Sequence, residues 1–375
     1  MSKSYTPGLK VLKNTNVSKE RLLPLKGDVH ATLNQKVSSS DVVASTEIPG
    51  NVQMINMVNK LNVDPSQISQ YMMVEVDEDV KKDQLIAENK GLFGFFKSQV
   101  KSPIDGKIIN ISKVTGQVVI SEKPLPVKVD AYLPGKVSEI FNHEGVVVSS
   151  EGTFIQGIIG IGGEKKGDLK VVVDSVNQSA DISILNEKMK NSIIVTGTYI
   201  DYQFYKKAIE VGINGIICGA VDYNTLSKIL GYSLGVAITG TENTTTLIVT
   251  EGFGNIVMAQ KTFDLLNQNN NKPVSINGAT QIRAGVLRPE IFIESWGDNT
   301  NSSFNEDNLI ISEGSSVRII RNPYFGKIGK IISLPFELVK MKSETKVRVA
   351  EVEFSDGSKE VIPRANLEVI LSNEW

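Results

Sequence analysis

Two histidines, His30 and His143, and one cysteine, Cys218, are the only imidazole and thiol groups in 375 residues. A tetrahedral zinc site, a disulfide framework and a Cys/His dyad each need more than that. Cys218 sits in the apolar run Gly215-Ile-Ile-Cys-Gly219 with no neighbouring cation to favour a thiolate, so it reads as a small core residue. The glycine-rich stretch Gly157 to Asp168 invites a phosphate-loop reading. It has neither a Gly-Lys-Ser/Thr nor a GxGxxG leading into a helix. A tight turn between strands, with Glu164-Lys-Lys-Gly167 at its tip, is the expectation, and a backbone anion nest is the alternative.

Small hydroxyl residues and glycines close several apolar runs. Three such turns are Thr196-Gly197-Thr198, Thr239-Gly240-Thr241 and Asn277-Gly278-Ala279-Thr280, and a fourth run ends in Thr250-Glu251-Gly252-Phe253-Gly254. In an open parallel sheet the carboxyl ends of the strands line the ligand crevice, where such turns would cradle an anionic or sugar-like ligand on backbone N–H groups. Arg283 and Arg288 would add charge. The competing reading is ordinary strand-to-helix turn chemistry. Only scattered carboxylates such as Glu242 and Glu251 accompany these turns, so a ligand held there would be sensed rather than converted.

The balance of 40 Lys and Arg against 42 Asp and Glu gives a net charge of −2, so any nucleic-acid surface must be local. Apolar residues make up 41% of the chain without a membrane-length run or a secretory signal, and the expectation is a cytoplasmic protein of several domains. Residues 1–24 read as a basic arm with Lys3, Lys10, Lys13, Lys19 and Arg21.

The elements that must position these residues change in texture along the chain. Residues 25–167 read as short strands and Pro-Gly turns, with a repeated spacing in Val37 to Ala44 and Val80 to Ala87. Residues 168–293 alternate β-branched runs with helical patterns, as expected of an α/β layer, and Asp201 to Val211 carries an Asp N-cap and a Gly212 stop. Residues 294–308 read as a linker, and 309–371 as strands again. The fold class expected is therefore multidomain α+β: a β-rich region, a central α/β layer and a terminal β-barrel.

Val80 to Ala87 and Ser102 to Ile111 resemble the paired strands of the barrel-sandwich hybrid, the fold of biotinyl and lipoyl carriers that also recurs in RnfC-type subunits. A carrier role would require a modified Lys at a hairpin tip. The nearest candidate, Val127-Lys128-Val129, lacks the family's flanking residues.

Gly314 to Ile331 resembles the KOW motif of NusG-type factors and ribosomal proteins, with Gly314 and Gly329 at the two glycine positions and Arg318 and Arg321 as outward charges. The resemblance implies a five-strand SH3-like barrel over residues 309–371. On such a barrel Arg318, Arg321, Lys327, Lys330 and Arg364 would pair with phosphates, and Tyr324 and Phe325 would offer aromatic faces. The insert Leu334 to Glu344 departs from the family pattern. KOW barrels also dock proteins, and the acidic Glu351, Glu353 and Glu360 temper the charge, so RNA-bearing machinery and a protein assembly remain equal candidates.

Two functions follow as expectations. The first is a non-enzymatic binding or scaffold protein docked through the barrel, with no cofactor and no membrane insertion. The second is an RnfC-like accessory whose central turns at Thr196-Gly197, Thr239-Gly240 and Asn277-Gly278, with Arg283, hold a nucleotide-like anion.

Overall fold

A computed structural model describes residues 9–91, 97–231, 237–238, 245–281, 287–295, 311–321, 323–324, 327–341, 346–354 and 356–371. Of the candidate residues, Thr239, Gly240, Arg283 and Phe325 lie outside the described residues, as does most of the 294–308 linker. No helix among the described residues is long and apolar enough to cross a membrane.

The multidomain α+β expectation is corrected by the sheet topology. Strand greatly outweighs helix, and seventeen strands from the first to the last part of the chain form one hydrogen-bonded network. Two strands make that continuity. The Glu164–Val171 strand pairs antiparallel with Pro273–Asn277 through its first half and parallel with Ile193–Val195 through its second, so it belongs to two sheets at once. The Leu9–Leu22 strand pairs with Gly145–Gln156 along its length, and at Leu9 and Lys10 it runs parallel to Ile370 and Leu371. Neither link is visible to a reading of local periodicity, because each joins segments far apart in sequence.

Within the network, Leu169, Ile193, Ile217 and Ile248 alternate with Ile194, Ile216 and Cys218 on the two faces of a short parallel layer. Helices Tyr202–Val211 and Tyr223–Leu230 cover one face with Phe204, Ala208 and Leu226, and helix Gln260–Gln268 covers the other with Phe263 and Leu266. Local capping sets the helix limits: Asp201 accepts from the Phe204 amide at 2.8 Å, and Gly212 takes the left-handed conformation at φ 81°. Cys218 is wholly buried in this layer, which pushes its thiol pKa up.

Residues 49–124 form an outboard unit. The chain leaves the frame at the end of the Val42–Ile48 strand and returns at the start of Leu125–Asp130, which pairs with it from Leu125 opposite Ile48. Gly50 is required at the exit, since a Cβ there would meet the Glu122 carbonyl oxygen at 2.2 Å. The unit has its own core of Ile55, Met57, Ile68, Ile86, Ile108 and Ile120. The sequence repeat has a structural meaning: Val37, Ala44, Val80 and Ala87 are all buried, each pair bracketing a strand-turn-strand.

Candidate functional site

Of the turns expected to share one crevice, Thr239-Gly240 lies outside the described residues, Thr196-Gly197 and Thr250-Gly252 lie at the same end of the parallel layer, where the Met258 amide donates to the Gly197 carbonyl oxygen at 2.8 Å, and Asn277-Gly278 does not join them. Pro273–Asn277 is antiparallel to both of its neighbours, with Asn277 opposite Glu164 at the amino end of the Glu164–Val171 strand. The Thr196-Gly197 turn lies beyond the carboxyl end of Ile193–Val195, which runs parallel to that same strand. Thr196 and Asn277 therefore lie at opposite ends of the layer. Gly278 is packed on the glycine-rich stretch instead: a Cβ on it would meet the Ile161 carbonyl oxygen at 2.3 Å, and the Gly160 amide donates to Thr280 Oγ1 at 2.8 Å. Gly197 likewise abuts the Ser175 and Val176 carbonyl oxygens. These glycines serve close backbone approach.

The terminal strands Ser316–Ile319, Ile328–Ser333, Val349–Phe354, Lys359–Pro363 and Leu367–Leu371 form an antiparallel sheet ordered with Leu367–Leu371 beside Ser316–Ile319 and Lys359–Pro363 at the far side. Val317, Ile319, Ile331, Val352, Phe354 and Leu367 fill its core. Of the seven residues expected to face a polyanion, the described six divide into two groups.

Arg318 and Arg364 are consumed internally. Arg318 is only 3% exposed and lies within an ion network that crosses to the central layer. Its Nη2 pairs with Glu368, which also pairs with Arg288, while its Nη1 lies 3.5 Å from Glu251 and donates to the Glu251 carbonyl oxygen at 3.1 Å. Burial raises the pKa of Glu251, against the opposing pull of the Ala259 amide and the Arg318 guanidinium. Arg364 donates from Nε to the Val349 carbonyl oxygen at 2.9 Å and from Nη2 to that of Pro335 at 3.0 Å, so it fixes the base of the insert.

Arg321, Lys327 and Lys330 are exposed. The Lys327 ammonium lies 4.9 Å from the Phe354 ring centroid and 5.7 Å from that of Tyr324, and those two rings pack on each other at 5.6 Å. Phe354 is buried, and Tyr324 is half-buried with its hydroxyl pKa raised by the bond to Glu360. The faces of Tyr324 and Phe354 are therefore engaged within the sheet. A cleft of about 330 Å³ opens beside them, lined by Val176, Glu251 and Met258 of the central layer and by Lys327, Phe354 and Asp356 of the terminal sheet.

Local reasoning missed two features. Glu368 closes the ion network, yet on its own it is one glutamate in a strand. Phe336 and Leu338, in the insert, are 86% and 56% exposed. Their signal was present in the sequence, because the insert is where the chain departs from the resemblance while carrying large apolar side chains. Lys128, the carrier candidate, lies within the Leu125–Asp130 strand opposite Ser45 rather than at a hairpin tip. No group of three or more His, Cys, Asp or Glu residues suited to a metal ion occurs among the described residues. Comparisons with protein-family models, with curated proteins and with solved structures find no match to this chain.

Proposed function

We propose that this chain is a non-enzymatic docking protein, and that its KOW-like terminal sheet engages a protein partner through the insert after the Ile328–Ser333 strand. The observation that carries this reading is the exposure of Phe336 and Leu338 on a segment whose base is pinned by Arg364. Aromatic side chains presented on a fixed backbone are the usual anchors of protein interfaces, because they bury a large area at low entropic cost. Charge favours a protein over RNA here. Two of the five cations that would face phosphates are engaged inside the fold, and Lys327, Lys330 and Arg321 share the surface with Glu353, Asp356 and Glu360.

The test uses the tagged full chain in its native cells. Phe336→Asp and Leu338→Asp are expected to lose a co-purifying protein that the wild type and Lys330→Ala retain. The full chain is also expected to show no saturable, salt-dependent binding of single-stranded RNA. Retention of every partner by both Asp variants, or RNA binding weakened by Lys327→Ala and Lys330→Ala, contradicts this reading.

A further inference from the structure

The outboard unit ends in an open sheet edge. Its sheet runs from Val52–Asn56 through Gln117–Ser121 and Gly106–Ile111 to Asp79–Val80, and among the described residues Val52–Asn56 has a neighbour on one side only. Antiparallel ladders alternate between residues that bond inward and residues that bond outward. The Glu122 amide donates to Asn51 O at 2.8 Å and the Met57 amide to Gly116 O at 3.0 Å, so the odd-numbered positions face the partner strand. Val52 and Met54 consequently direct their backbone N–H and C=O groups outward, as Asn56 does its N–H, while the Asn56 carbonyl caps helix Met57–Leu61. No backbone hydrogen bond joins Val52 or Met54 to another described residue on that side.

The side chains on this edge are unprotected as well. Met54 is 70% exposed and Val52 55%, and Met54 lies opposite half-buried Val119. Sheet edges are ordinarily guarded by Lys, Pro, bulges or an overlying element. From Gly50 to Asn59 the chain has no charged residue and no proline, whereas charges crowd the unit's other segments, from Glu75 to Asp83 and at Lys107, Lys113 and Lys123.

We propose that the Val52–Asn56 strand is a homodimer edge, pairing antiparallel with the same strand of a second copy about a two-fold axis at Met54. In that register Met54 lies opposite its counterpart and Val52 opposite Asn56, so about four backbone hydrogen bonds form across the axis. The copy is favoured over a foreign peptide because the uncharged 50–59 stretch sets no like charges against each other when it meets itself. The two outer faces then join into one apolar strip. The contact is small relative to a permanent interface of about 800 Å² per partner, so association in the micromolar range is expected. This edge is separate from the insert that carries Phe336, and either can fail without the other.

Sedimentation velocity on the full chain over a concentration series tests it. The wild type is expected to shift from monomer to dimer. Met54→Pro, which removes an outward-facing amide without breaking a bond inside the sheet, and Met54→Lys are each expected to weaken dimerisation at least tenfold with the melting temperature retained. Val114→Lys, at an exposed site off the edge, should leave it unchanged. Met54→Cys should form a disulfide-linked dimer under mild oxidation, since Cα atoms in a hydrogen-bonded antiparallel pair lie about 5.5 Å apart, within disulfide reach. Native Cys218 is buried and does not compete. A wild type that stays monomeric, including one that binds only added uncharged peptides, overturns the proposal. So does a dimer unaffected by Met54→Lys and not cross-linked by Met54→Cys.

Discussion

A chain lacking residues 1–24 is expected not to fold. The segment that reads as a solvated basic arm holds the fourteen-residue strand Leu9–Leu22, in which Leu9, Val11, Leu12 and Val17 are buried. Each such side chain contributes about 1.5–3 kcal/mol on burial, so the four together rival the whole net stability of a typical domain, about 5–15 kcal/mol. The strand's charges are engaged too: Lys19 lies 2.5 Å from Glu290, and Arg21 lies 2.6 Å from Glu164. Circular dichroism and limited proteolysis of the truncated chain check this. A folded, protease-resistant product would show that the strand is dispensable.

Arg318→Ala is expected to destabilise the protein by about 3–5 kcal/mol, the cost of leaving buried carboxylates without their cation. Glu251 and Glu368 both depend on that guanidinium, and Arg288 reaches only Glu368. The loss should depend on pH. Glu251 already has a raised pKa in the folded state, so over the window between the ordinary carboxylate value and the raised one the folded protein holds a proton that the unfolded chain has released. More protons bound in the folded state means that stability falls as pH rises through that window. Without Arg318 the window widens upward, and the deficit should be larger at neutral pH than in weak acid. Urea denaturation of the variant at several pH values measures it, and Arg318→Ala combined with Glu368→Gln should recover part of the loss. A deficit below about 1 kcal/mol, typical of an exposed pair, would mean that the network is not holding the terminal sheet to the central layer.

What was legible in the sequence was local. The Asp201 cap and the Gly212 stop depend on residues within one or two turns of each other, and both are where the pattern put them. Along Ser316–Ile319 the apolar Val317 and Ile319 alternate with Ser316 and Arg318, and both are buried. The same alternation assigned Arg318 outward, where solvent was assumed. That face is covered by Thr250 and Glu251, whose carbonyl oxygens accept from Arg318, so the strand is buried on both sides and alternation no longer separates core from surface. The Asn277-Gly278 turn parts from the Thr196-Gly197 turn for a related reason. Their spacing suits a parallel sheet, but strand direction is set by pairing, and Pro273–Asn277 pairs antiparallel with residues more than a hundred positions earlier. The links that join these layers into one continuous network are such distant pairings.

The docking claim is tested most directly by placing a photo-reactive residue at the exposed insert, Phe336→p-benzoylphenylalanine, in the full chain within its native cells. Irradiation is expected to yield a discrete crosslinked species that is digested by protease, resists ribonuclease and disappears when Leu338→Asp is added. Crosslinking to RNA, or no crosslink beyond that from the same residue placed at Val114, would contradict the account.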